Sequence, residues 1–286
     1  MSWDFVWHTI TVAISCVNLG LGVFIVVGLM RRGVRAQSHR GYTRFLIVAC
    51  LIFLTVALYR SVFVTKYVGG LVWYGTVFNS PFLIRCLACL AELSFIGLIA
   101  AVSLRMIRDA ARQSGSGVSG FGPVVAKLPY VAAACIFVAQ FFAFTGLITQ
   151  LQWPGAVEES LWALAFLSIA PVIVAGLRRR RAVSGFGVFL IVMSVWCAGY
   201  LLFQLGYALP FMYWANVGQD VGQAIARDAL RHAIFGYTVS RDLSTWGGLG
   251  FFIWQTGYFS LCSWMTLVML VSPRAGRRAE PVVAST

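Results

Sequence analysis

Seven stretches of this chain run for close to bilayer length with almost no charge: 8–30, 45–64, 82–104, 128–149, 160–177, 185–208 and 247–271. About 20 apolar residues in a helix span the roughly 30 Å of bilayer hydrocarbon, and only helices and closed barrels satisfy their own backbone polar groups there. Spans this frequent in 286 residues leave almost nothing for a soluble domain. The spacing predicts an all-α polytopic membrane protein. Residues 1–272 form a single bundle of seven transmembrane helices, and 273–286 read as a disordered cytoplasmic tail. Composition agrees: 11% of residues are charged, against about 25% in soluble domains. The first segment has no basic stretch before it and no small-residue cleavage site after it, so it reads as a retained helix.

A net charge of +13 could point to nucleic acid, but its placement points elsewhere. Sixteen of the 22 Lys and Arg residues fall in alternate connections: Arg31, Arg32, Arg35, Arg40 and Arg44; Arg105, Arg108, Arg112 and Lys127; 178–181; and Arg274, Arg277 and Arg278. Positive residues gather on the cytoplasmic side of membranes, which predicts an N-terminus outside and a C-terminus in the cytoplasm. Membrane lipids with anionic headgroups are a sufficient partner for this charge. No aromatic-interleaved basic groove argues for nucleic acid. The expected location is the plasma (inner) membrane.

Charge inside a span is the exception that calls for a reason. The third segment carries Arg85 near its start and Glu92 within it. Such residues are costly in lipid and usually face a bundle interior or a wet cavity. Seven residues apart, the two share a helix face about 10 Å apart along the axis, which predicts that they do not pair directly and that each finds a partner elsewhere. With the N-terminus outside, Arg60, Gln140, Glu158, Glu159, Gln204, Gln255 and His8 fall in the same outer half. That convergence predicts a polar cavity opening outward between helices. Glu92, Glu158 and Glu159 are its candidate acid–base groups, and Arg60, Arg85, Gln140, Gln204 and Gln255 its candidate ligand-binding groups. The competing reading is an ion-pair network that fixes helix register. In that reading Arg60 snorkels to the headgroups, and Glu158 and Glu159, following Trp153 and Pro154, cap a helix start.

Local features complete the expectation. Asn18 reads as helix glue, and Tyr67, Trp73 and Tyr74 as an interfacial belt. Asn79, Ser80 and Pro81 read as a turn, Pro171 as a kink, and 216–236 as an outer amphipathic helix. The seven cysteines all lie in apolar segments, where a thiol behaves as a small hydrophobe. The lysines are Lys66 and Lys127, neither placed for a Schiff base in the last helix, and His8, His39 and His232 lie in three separate regions. No cofactor and no metal is called for, and no phosphate loop or nucleophile elbow occurs.

The stretches YRSVF at 59–63, RCLACLAELSF at 85–95 and VEESLW at 157–162 resemble an uncharacterised family of multi-pass membrane proteins. The resemblance implies a helical membrane fold and supplies no activity. The functional expectation is an integral membrane protein with a pocket for a hydrophobic small molecule, lipid-like or isoprenoid, and with membrane-embedded acid–base chemistry. A transporter or proton-linked channel with Glu92 as relay, and a receptor-like scaffold without catalysis, are the alternatives.

Overall fold

The computed structural model describes residues 3–31, 40–67, 70–113, 122–179, 183–218, 229–246 and 255–272. Six helices are long and apolar enough to cross a membrane: Phe5–Arg31, Gly41–Val62, Pro81–Arg112, Val125–Thr149, Gln152–Arg178 and Gly187–Asn216. The cores of these spans are α1 (Trp3–Arg31), α2 (Arg40–Val62), α3 (Pro81–Gln113), α4 (Leu128–Thr149), α5 (Gln152–Arg178) and α6 (Gly187–Phe203). Of the expected seventh segment, 255–272 is described, and 255–271 is helical. The chain is therefore a helical, multi-span membrane protein.

These helices are apolar on the outside as well as the inside. Phe24 and Leu202 are each 75% exposed on helix surfaces, which suits helices whose outer face meets lipid. The core lies between them, where Leu46, Phe53, Ile99, Met106, Phe166, Ile173 and Phe189 are buried. α4 and α5 form a hairpin turned by Gln150, whose φ of 57° is the left-handed value that a helix end often needs. Its N–H donates to the Gly146 carbonyl at 2.8 Å.

A small cap closes the end of the bundle where α2 finishes and α3 begins. Strands β1 (Thr65–Lys66) and β2 (Leu71–Val72) pair antiparallel, and β3 (Thr238–Val239) adds in parallel to β2. Asn79, completely buried, ties the cap together. Its Nδ2 donates to the Val64 carbonyl at 2.8 Å and its Oδ1 accepts from the Tyr74 N–H at 2.9 Å. Pro81 then starts α3, where its missing N–H costs nothing. Short helices α7 (Ala229–Phe235) and α8 (Leu243–Trp246) complete the cap, with Ser80 Oγ donating to the Ile234 carbonyl at 2.8 Å. Trp73 is not part of an interfacial belt: it is buried against Trp7 and Trp246.

Several boundaries differ from the sequence expectation. α5 begins at Gln152, well before residue 160, so Glu158 and Glu159 stand beyond its first turn and cap nothing. α3 continues through Arg105 to Gln113, because a helix need not stop where its charges leave the hydrocarbon. The helix assignment runs unbroken through Pro171. Of the expected amphipathic helix at 216–236, residues 219–228 lie outside the described part, and 229–235 are helical. His39, the run 180–181 and the tail 273–286 also lie outside it.

After α6 the chain widens into a π-helix, Gln204–Tyr213, and a second π-helical turn occupies Tyr258–Cys262, followed by α9 (Ser263–Val271). Asn18 bridges α1 to this last helix. Its Oδ1 accepts from Trp264 Nε1 at 3.1 Å, and its Nδ2 faces the Phe259 carbonyl at 3.4 Å.

Candidate functional site

Arg60, Arg85, Glu92, Glu158 and Glu159 meet at the capped end. Arg85 and Glu92 both leave the same face of α3 and, contrary to the sequence expectation, they pair: Nη2 to Oε2 is 2.8 Å. The axial separation of about 10 Å holds for the backbone only. A glutamate on a helix leans toward the N-terminus, and the long arginine stem reaches the other way to close the gap. Gln140 of α4 completes a triangle, accepting from Arg85 Nη2 at 2.6 Å and donating to Glu92 Oε2 at 3.0 Å. The second guanidinium nitrogen, Nη1, faces Glu158 Oε1 at 3.4 Å. One guanidinium thus joins α3, α4 and α5. Burying it is tolerable because its charge is paired and hydrogen-bonded.

Glu159, one residue on, turns to a different wall. Its Oε2 accepts from Gln204 Nε2 at 2.7 Å and its Oε1 from the Tyr213 hydroxyl at 3.2 Å. The π-helix makes this clamp possible. Nine residues are about two and a half turns at 3.6 per turn, which would send Gln204 and Tyr213 to opposite faces. At about 4.4 residues per turn in the wider helix the same nine make about two turns and share a face.

Arg60 neither snorkels outward nor binds Glu92. Its guanidinium lies over the Tyr258 ring, 4.9 Å from the centroid, and 5.9 Å from that of Phe259. Among the described residues no carboxylate lies within ion-pair distance of it. Tyr67, beyond the end of α2, stands beside Arg85, whose guanidinium carbon is 5.8 Å from its ring centroid. Burial raises the Tyr67 phenol above its usual range against the lowering pull of Arg60 and Arg85, so it stays a neutral hydroxyl.

These groups surround a cavity of about 660 Å³, within the roughly 300–1,000 Å³ usual for small-molecule sites. Arg60, Arg85, Glu92, Glu158, Glu159 and Gln255 all line it. Gln140 and Gln204 are not among its lining residues and act by holding Glu92, Arg85 and Glu159. His8 lies apart, its Nε2 3.1 Å from the Val62 carbonyl and its ring stacked on Trp73. Much of the remaining wall is aromatic, with Ala143, Leu147, Leu151 and Leu261 beside the rings. Trp162 stacks on Phe166, and Trp196 on Tyr200, with Phe166 and Tyr200 rings 4.8 Å apart. Phe53, Phe95 and Phe166 close the cavity toward the bundle middle.

Three carboxyls therefore face two guanidiniums across a low-dielectric space. Electroneutrality there takes one more positive charge, either a proton on a carboxyl or a cationic group. Among the described residues no group of three His, Cys, Asp or Glu side chains converges to hold a metal ion. Tyr67, Trp196, Tyr213 and Tyr258 had no sequence signal marking them as partners of the charges, since each belongs to an ordinary aromatic-rich stretch. No family profile, curated protein or solved structure matches this chain.

Proposed function

We propose that this chain is a seven-helix protein of the plasma (inner) membrane, N-terminus outside and C-terminus in the cytoplasm, whose outward-facing cavity binds a lipid-like or isoprenoid amphiphile. The polar end of the ligand meets Arg60, Arg85 and the three glutamates, and its apolar part lies among Trp162, Phe166, Trp196 and Tyr200. The single observation that carries this reading is the cavity: Arg60, Arg85, Glu92, Glu158, Glu159 and Gln255 line one space that aromatic and aliphatic side chains share. The orientation draws support from the exposed Arg31, Arg44, Arg108, Arg112, Lys127 and Arg178, which occupy the helix ends opposite the cavity.

The chemistry this array suits is acid–base. Glu159, held by two neutral donors and no cation, is placed to exchange a proton, whereas Glu92 and Glu158 both face Arg85. Binding is favoured over transport because Met106, Ile173 and Phe189 are buried at the end of the bundle opposite the cavity. A photoactivatable fatty amphiphile tests the site. Labelling is expected at Trp162, Phe166 and Trp196. Labelling confined to lipid-facing residues such as Phe137, Phe141 and Val195 would refute it.

A further inference from the structure

The hydrogen-bonding state of the cavity wall specifies the ligand's polar end, given the binding reading above. Every carboxyl at the site is already engaged by a protein donor: Glu92 by Arg85 and Gln140, Glu158 by Arg85, and Glu159 by Gln204 and Tyr213. The buried side-chain atoms left unpartnered at the cavity are N–H and O–H groups. Arg60 Nη1, Arg85 Nε, Tyr67 Oη, Trp196 Nε1 and Tyr258 Oη are buried atoms without a hydrogen-bond partner among the described residues, and all five belong to residues that line the cavity. A buried donor left unmade is costly, so unpartnered donors converging on one space mark where an acceptor belongs.

Arg60 adds the charge. It is the cation at the site with no carboxylate in ion-pair range among the described residues, and it rests on the Tyr258 ring, which holds the guanidinium without neutralising it. Guanidinium N–H groups beside phenolic hydroxyls match an anionic oxygen group, and such charge-assisted bonds are the strong ones. We infer that the cavity is selective for an anionic amphiphile, with a phosphate or carboxylate head seated at Arg60, Tyr67 and Tyr258. By the charge count above, an anionic head enters together with protons on two of the three carboxyls, so that the two guanidiniums balance the remaining carboxylate and the head.

The test uses chains of one length and different heads in a neutral maltoside detergent: hexadecyl phosphate, palmitate, hexadecanol and hexadecylamine, read by native mass spectrometry titration. The protein is expected to bind at least one of the two anions roughly 10- to 100-fold more tightly than the alcohol. Arg60→Gln is expected to remove that preference, bringing the anion's binding down to that of the alcohol, and Arg60→Lys to keep most of it. Whichever anion binds more tightly, phosphate or palmitate, identifies the head chemistry. Should Arg60→Gln fold poorly, Tyr258→Phe removes one donor and is expected to weaken the preferred anion several-fold. Equal binding of alcohol or amine, or an unchanged preference in Arg60→Gln, overturns the anionic head and leaves the amphiphile cavity standing. If none of the four binds, the cavity reading itself falls.

Discussion

Helix α3 carries two ion pairs, one toward each end, and they behave differently. Toward the basic end, Arg105 Nε meets Asp109 Oδ2 at 2.9 Å, four residues on, a contact the helix geometry alone supplies. Toward the capped end, Arg85 meets Glu92 seven residues on and also engages Gln140 and Glu158 from two other helices. The first pair is one turn of a single helix. The second ties three helices together around an open space. The contrast teaches that charge inside these spans is concentrated where the bundle is hollow, whereas the basic end is packed closely enough that a methyl group on Gly176 would lie 2.7 Å from Leu190.

The comparison breaks most sharply at Arg85. Replacing it with Met strands two carboxyls, and a buried pair broken on one side typically costs about 3–5 kcal/mol, to be read as lowered resistance to thermal or denaturant unfolding in detergent. Glu92→Gln keeps the shape but leaves Arg85 one charge short, for an expected loss of about 1–3 kcal/mol. The matching change at the other end, Asp109→Asn, concerns one mostly buried carboxyl and keeps an amide oxygen against Arg105, for an expected cost of about 1–2 kcal/mol. A triple change, Arg85→Met with Glu92→Leu and Glu158→Leu, is expected to return stability to within about 1 kcal/mol of the parent, since apolar replacement of a buried ionic group is often neutral. That variant is expected to fold with its amphiphile affinity altered, whereas a structural brace alone would leave no such change to read.

The spans themselves were legible. Leu128–Thr149 matches the expected 128–149 because a basic residue and a proline bound one end and a left-handed turn the other. The convergence of Arg60, Arg85, Glu92, Glu158, Glu159 and Gln255 could be read from hydropathy and the positive-inside pattern, since both only require knowing which end of each helix a residue occupies. The contacts could not. Arg85 and Glu92 seem too far apart when backbone rise alone is counted, and only side-chain length and lean bring them together. Gln204 and Tyr213 share a face only in a π-helix, and nothing in QLGYALPFMY announces that geometry. Tyr67 and Trp73 look like interfacial aromatics until the cap folds them inward, a tertiary event set by Asn79 fifteen residues after Val64.

The central claim, that the hollow end of the bundle holds an amphiphile, is tested most directly by filling the hollow. Gly155 lines the cavity, and a side chain added there would meet nothing within 4 Å. A phenylalanine at that position has an unobstructed Cβ beside the cavity, and replacing a helix glycine removes backbone freedom from the unfolded chain. Native mass spectrometry of gently extracted wild type and Gly155→Phe, compared at equal thermal stability, is expected to show a bound amphiphile on the first and none on the second. Equal adducts on both proteins, or none on either, would contradict the claim and return the Arg85 network to the role of an ion-pair brace.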